Sequence, residues 1–396
     1  MASHQSSAQS QAAIPFYRDE RVLQAIAQVV SAVVVIGFLI WAIINFQKAA
    51  EARNMTLSFG FLKEAAGFPI SNPPIEYEPS MSFGRAFLVG LVNTILVSAT
   101  GVVLATVLGT LFALARLSSN WLLSRISLIY IEFHRNIPLL VLLFIWYFTV
   151  FARLPAVKES IKWPGPVYIN QRGIYMTWPR LTENSTTFVV MLIIGVIVAI
   201  IAYVYLRRHR ELTGQETYFV PVSIGLLLFF PLMGWILSPG QPFQLDTPVF
   251  EGFNFKGGLR LTPEFSALFL GLSLYTAAFI AEVVRAGIQA VDRGQVEAAR
   301  AVGLSTTQVL SLVVMPQALR VIIPPMISQY LNLTKNSSLA LAIGFQEVFS
   351  VGKIAINQAG RAVPVFVLVM VTYLVLSLIT SLCLNLYNRR IQFVIR

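Results

Sequence analysis

Long apolar stretches alternate with short polar ones along the whole chain. Stretches near the twenty residues that a helix needs to cross a bilayer lie at Val22–Phe46, Ala86–Ala115, Thr187–Leu206, Tyr218–Leu237, Phe265–Val284, Val321–Phe345 and Val363–Leu386, with a shorter one at Ile137–Phe151. The pattern predicts an all-α, polytopic membrane protein of about eight transmembrane helices, with both ends on one side. The third stretch is short for a bilayer, so it is expected to recruit Ser127–Ile131 or to tilt its flanks. Ala50-x-Ala52 imitates a signal-peptide cleavage site, but the apolar stretch before it is about twice the usual length. It reads as a retained span. The Ser/Gln-rich segment from Ser3 to Gln11 reads as a disordered tail.

Basic residues orient these spans. The clusters Arg18/Arg21, Arg116/Arg125/Arg135, Arg207/Arg208/Arg210, Arg285/Arg293/Arg300/Arg320 and Arg389/Arg390/Arg396 fall on one side and crowd short loops. Charges on the other side spread over longer, partly acidic loops. This difference in density predicts that both termini are cytoplasmic. The composition, 56% hydrophobic and 12% charged, agrees with a membrane protein. Anionic lipid heads account for the net charge of +11, and no nucleic-acid partner is needed.

Little in the chain points to catalysis. Cys383 is alone, inside the last span, so it has no intramolecular disulfide partner. His4, His134 and His209 are far apart and lack metal-ligand spacing. There is no Gly-x-x-x-x-Gly-Lys-Ser/Thr phosphate loop, so any ATP used must be hydrolysed by another chain. The expectation is a non-enzymatic chain with no cofactor or metal of its own.

Glu297 to Pro316 reads EAARAVGLSTTQVLSLVVMP, a polar, Ala-rich segment between apolar spans. Asp292 can cap a short helix, with Gln295 in a capping-box relation. Gly303 can end that helix in the left-handed region, and Ser305 with Gln308 can start another. Two short helices would meet at a tight bend. Ala298, Ala299 and Ala301 would form a narrow ridge, with Glu297 and Arg300 as polar anchors. Taken alone, the segment also suits an ordinary amphipathic interfacial helix. The layout resembles the EAA loop of ABC-importer permeases, E-A-A, three residues, G, nine residues, I-x-L-P. Glu297, Ala298, Ala299, Gly303 and Pro316 match; Val313 and Met315 stand where Ile and Leu are usual.

The resemblance extends to the polar amino-acid branch of these importers. Phe265–Ile288 is similar to that family's stretch ending in A-Y-x-A-E-I-x-R-G-G-I, with Phe279 for Tyr and Ala286 for Gly. EFHRNIPLL at Glu132–Leu140, KNSSL at Lys335–Leu339 and GLVNT at Gly90–Thr94 are similar to further family motifs, in the expected order. The resemblance implies a five-helix type I importer core in two parts, 82–151 and 261–390, the second carrying the coupling loop 285–325. Around it lie a cytoplasmic tail (1–21), an extra span with an outer loop (22–81), an insertion with two spans (152–260) and a cytoplasmic end (391–396). This layout is most like the longer permease subunit of general L-amino-acid transport systems. The implied partners are cytoplasmic ATP-binding subunits carrying ATP and Mg, a sister permease and a periplasmic amino-acid-binding protein.

Polar residues inside spans are candidates for the pathway. The span with Lys335 also holds Gln329, Asn332, Thr334, Asn336, Ser337 and Ser338, which are costly to place against lipid. Asn332, Lys335 and Ser338 either line the route and meet the substrate carboxylate, or form a polar seam between helices with Lys335 neutralised by a carboxylate. Glu282 and Arg285, three apart, can pair on one helix face, as gate, substrate contact or structural ion pair. Asn93 and Thr94 either reach the pathway or bond between helices. The aromatics of Leu154–Asn184, among them Trp163, Tyr168, Tyr175 and Trp178, suit the membrane interface or a docking surface. The competing functional class is a self-sufficient ion-driven transporter or channel, which favours paired intramembrane carboxylates or broken helices in repeats. Neither is evident in the sequence.

Overall fold

A computed structural model of the protein describes residues 20–52 and 58–391. The Ser/Gln-rich segment, Arg18 and the last residues, 392–396, lie outside the described residues. Among those described, seven helices are long and apolar enough to cross a membrane, and a sharply bent helix pair makes an eighth candidate. The all-α polytopic class holds. The long helices are α1 (Glu20–Ala52), α2 (Phe83–Leu117), α5 (Thr186–Thr213), α6 (Phe219–Leu237), α7 (Pro263–Gln289), α10 (Met315–Asn336) and α12 (Ala362–Ile391).

The bent pair corrects the reading of the third span. Helix α3 (Trp121–Asn136) and the segment Leu139–Arg153, which begins with α4 (Leu139–Phe144), meet at 106°. Pro138 is the cause: its ring disfavours helical geometry in the residue before it, and Ile137 is extended at φ −101°, ψ 132°. Ser127–Ile131 therefore belongs to α3 and does not lengthen the span. Helix α3 is two-faced, burying Ser127, Ile131 and His134 while Leu122, Ile126, Ile129 and Phe133 point outward. That pattern suits a helix lying along the membrane surface.

The core is built on α2 and α7. Small residues on both helices let their backbones approach: Gly101, Ala105, Gly109 and Ala113 on α2, and Ser273, Ala277 and Ala281 on α7, are all buried. The approach is tightest at Gly109, where a Cβ would lie 2.6 Å from the Ile280 side chain and 2.8 Å from the Ala277 carbonyl oxygen. Leu143, Ile322 and Leu333 complete this core from α4 and α10. A second core joins the loop before α2 (Phe61, Phe68, Ile70), the start of α2, helix α11 (Val348–Ala359) and α12. Helix α1 buries none of its apolar span against the rest of the chain. Helices α5 and α6 pack chiefly on each other, Gly195 against Phe230 and Gly234 against Met191.

The insertion also carries β structure that the hydrophobic pattern did not announce. Strands β1 (Ile161–Trp163), β2 (Val167–Asn170), β3 (Gly173–Met176) and β8 (Leu259–Leu261) form an antiparallel sheet in the order β1-β2-β3-β8. Two further antiparallel pairs join β4 (Trp178–Leu181) to β5 (Phe243–Asp246), across α5 and α6, and β6 (Val249–Glu251) to β7 (Asn254–Lys256). Strands of three or four residues are too short for a period of two to stand out. The aromatics divide accordingly: Tyr175 is buried in the sheet's small core, whereas Trp163 and Trp178 remain exposed.

Candidate coupling surface and translocation face

The polar segment folds as two short helices, α8 (Arg293–Ala301) and α9 (Thr306–Gln308), around Gly303. The Asp292 carboxylate accepts the Gly294 amide at 2.6 Å, and Gln295 bonds the Asp292 carbonyl through its backbone N–H. Asp292 thus caps α8 through Gly294 and its own carbonyl, without the reciprocal Gln295 side-chain bond of a capping box. At the other end Leu304 N–H reaches the Ala299 carbonyl and Gly303 N–H the Arg300 carbonyl, a Schellman closure with Gly303 at φ +85°. Ser305 and Gln308 form the expected reciprocal capping box. A widened turn, Val309–Val314, then precedes Met315 and Pro316 at the start of α10. A proline there has no N–H to bond back, and the wide turn accommodates its ring.

The burial pattern corrects the idea of a three-alanine ridge. Ala299 points inward, 6% exposed, against Val309 and Val314, with Ile288, Val291, Val296 and Leu304 around them. Glu297, Ala298, Arg300, Ala301, Val302 and Gly303 are the exposed residues. Val302 stands out at 77% exposed. No other described residue pairs ionically with Glu297 or Arg300. The small cluster behind α8 joins the end of α7, through Ile288 and Val291, to the wide turn before α10. A force on α8 therefore reaches two membrane helices together.

On α10 the outward face is a stripe. Val321, Pro325, Ser328, Asn332 and Lys335 are exposed at helical spacing, whereas Ile322, Met326 and Leu333 are buried. The stripe turns polar toward its end. No carboxylate among the described residues pairs with Lys335. Ser338, half-buried, spends its hydroxyl on the Lys335 carbonyl at 2.8 Å.

Glu282 and Arg285 pair along α7 as their spacing suggested, at 2.7 Å, and Arg285 also donates to Gln289 at 2.6 Å. The guanidinium of Arg135 lies 5.7 Å above the Phe279 ring, and the charges of Arg135 and Arg116 both act on Glu282. Arg285 is the guanidinium in direct contact with Glu282, and the other two add positive charge to its neighbourhood. Glu132 accepts from Asn136 at 3.1 Å, at the end of α3 just before the Pro138 bend.

Asn93 and Thr94 both bond the backbone at the start of α11. Asn93 donates to the Gln346 carbonyl at 2.8 Å, and the Thr94 hydroxyl accepts the Val348 amide at 3.2 Å. The same Gln346 is gripped from outside. Its side-chain amide donates to the Pro69 carbonyl and accepts from the Ser71 amide, both at 2.8 Å, as a paired strand would. The loop before α2 thus straps the turn between α10 and α11. In that loop the Tyr77 hydroxyl donates to the Phe68 carbonyl at 2.8 Å, and burial pushes the phenol's pKa up, so it stays a donor. Beneath the strap lies a cavity of about 120 Å³ between Asn72, Asn93, Arg260, Phe265 and Phe345.

Glu347 escaped the sequence reading. Its carboxylate has no exposed surface and accepts from the amides of Phe349 and Ser350, the Ser350 hydroxyl and, at 2.6 Å, the Tyr373 hydroxyl of α12. It caps α11 and ties that helix to α12. A lone acidic residue between Phe345 and Val348, with Ser350 three positions on, was the available sign.

Residues 192–393 match the family described as "Binding-protein-dependent transport system inner membrane component", more than half of the chain. The chain is 42% identical over 369 residues to "General L-amino acid transport system permease protein AapQ" of Rhizobium johnstonii, covering 93% of this chain and 92% of that protein. It is 37% identical over 406 residues to "Glutamate/glutamine/aspartate/asparagine transport system permease protein BztB" of Rhodobacter capsulatus, covering 94% and 95%. With its long apolar helices, this chain belongs to the inner-membrane components of binding-protein-dependent transport systems.

Proposed function

We propose that the chain is a permease subunit of an ATP-driven ABC importer of L-amino acids, forming part of the translocation pathway and coupling to a separate ATPase through α8. The observation that carries this reading is the outward polar stripe Ser328–Asn332–Lys335 on a membrane helix. A serine, an asparagine and a lysine on one outward face of a membrane helix are costly to leave against lipid. The stripe therefore faces a wet pathway or a second subunit, and a sister permease supplies both. The amino-acid cargo follows from the names of the relatives that align over nearly the full length.

In this reading both termini and α8 are cytoplasmic, and the exposed face of α8 seats in a groove of the ATP-binding subunit, which holds ATP and Mg. The parts 82–151 and 261–390 form the core; 22–81 and 152–260 are additions. ATP shifts the transporter only if it stabilises one of two arrangements more than the other. Closure of the ATPase pair would do so by moving α8, and through its cluster the ends of α7 and α10. A periplasmic binding protein delivers the substrate.

The test is a mild-detergent pull-down from native membranes with mass spectrometry and an ATPase assay. Recovery of an ATPase and a second permease, lost on disrupting Glu297–Gly303, is expected. A single-chain preparation that moves substrate in liposomes would overturn the proposal and favour an ion-driven transporter.

A further inference from the structure

The outer insertion holds a recess of about 600 Å³ that the translocation face does not use. Its floor is aromatic. Phe255 stacks on Tyr168 with ring centres 4.4 Å apart, and Phe250 meets Phe255 edge-on at 5.5 Å. Buried Tyr175, its hydroxyl bonded to Asn254 at 2.9 Å, supports Phe255 from behind at 5.2 Å. The floor is thus fixed before anything arrives.

The rim is cationic and unsatisfied. Lys158 and Lys162 line the recess, no carboxylate does, and neither lysine has an ionic partner among the described residues. Nearby cations on the same insertion are neutralised: Arg180 by Asp246 and Lys256 by Glu251, each at 2.7 Å. The rim hydroxyl, Ser160, is committed to the Val157 carbonyl and to Asn170. Lys162 sits on β1, an edge strand exposed at all three residues, and Val249, also exposed, adds an apolar side chain to the lining. Aromatic anchors in a pre-formed pocket, rimmed by unpaired charge of one sign, are the composition of a protein-docking surface.

We infer that this recess docks an acidic face of the soluble amino-acid-binding protein, with carboxylates of that protein meeting Lys158 and Lys162. The inference rests on the importer reading, which requires such a partner, and on charge complementarity. A free amino acid would bring an ammonium group for which the recess lining holds no carboxylate.

The experiment uses the assembled transporter in nanodiscs of zwitterionic lipid and reads ATPase stimulation against the concentration of substrate-loaded binding protein. The double variant Lys158→Glu/Lys162→Glu is expected to raise the half-saturating concentration by about tenfold at low salt. The difference should shrink below about threefold near 0.5 M salt. Charge reversal at Lys63, exposed on the same side but outside the recess, is the control and should shift it little. In a second measurement on wild type, the binding protein should protect Lys158 and Lys162 from an amine-reactive label, and free glutamate should not. An unshifted double variant, an equal shift at Lys63, or protection by glutamate alone overturns the docking assignment and leaves the importer reading standing. No stimulation of wild type by any binding protein overturns both.

Discussion

Gly303 gives the sharpest test of how the coupling segment is held. Its φ of +85° lies where side chains other than glycine are strained, and a Cβ built there meets nothing within 4 Å. Replacement by alanine therefore costs backbone strain alone, about 1–2 kcal/mol. That strain falls on the local closure of α8, made by the amides of Val302, Gly303 and Leu304 on the carbonyls of Ala298, Arg300 and Ala299. A loss of that size raises the open fraction of the segment by about 5- to 30-fold. Hydrogen exchange at residues 302–304 in the purified protein reads the change directly, and exchange in α2 should not follow. Gly303→Asn, which tolerates the left-handed region, should open the segment less than Gly303→Ala. Unchanged exchange in Gly303→Ala, or more opening with Asn than with Ala, would refute the argument.

The inward turn of Ala299 separates two effects. Ala299→Trp overpacks the cluster with Val309 and Val314 and should cost about 1–3 kcal/mol in thermal unfolding. The outward Ala301→Trp should stay within about 0.5 kcal/mol yet fail to capture the ATPase in the pull-down. Lys335→Met should alter amino-acid preference in proteoliposome uptake with assembly intact; loss of the assembled permease pair would place Lys335 in an inter-subunit seam instead. Tyr373→Phe removes the 2.6 Å bond to Glu347 and should lower stability by about 1.5–3 kcal/mol in a thermal scan. Gln346→Ala frees the strap from two bonds, about 0.5–1.5 kcal/mol each, and limited proteolysis within residues 58–82 should quicken; an unchanged rate would show that the apolar contacts of Phe61 and Phe68 suffice.

The α8 caps and the bend at Gly303 were legible because they are local. Asp292, Gly303, Ser305 and Gln308 act within a few residues of themselves, so their spacing in the chain is their spacing in space. The membrane helices were legible for a related reason: in lipid the backbone must satisfy itself, and an apolar run of sufficient length has few other options. The direction in which a helix turns its small residues is not local. Ala298, Ala299 and Ala301 look alike in sequence, and only the position of Val309 and Val314 decided that Ala299 faces in while Ala298 and Ala301 face out. The Pro138 bend shows the intermediate case, where the residue announces a break and only the surrounding helices set it at 106°.

The sequence by itself determined a polytopic helical protein, its family and the capped segment around Gly303. Tertiary structure decided the rest. It brought Gln346 to Pro69 and Ser71, Glu347 to Tyr373 and Phe255 to Tyr168, pairs joined across distant stretches of chain or across a turn. It also turned Ser328, Asn332 and Lys335 away from their own core. The physical reason is that spacing along one helix fixes which residues share a face, whereas the neighbours packed on that face fix whether it is buried or left for a partner.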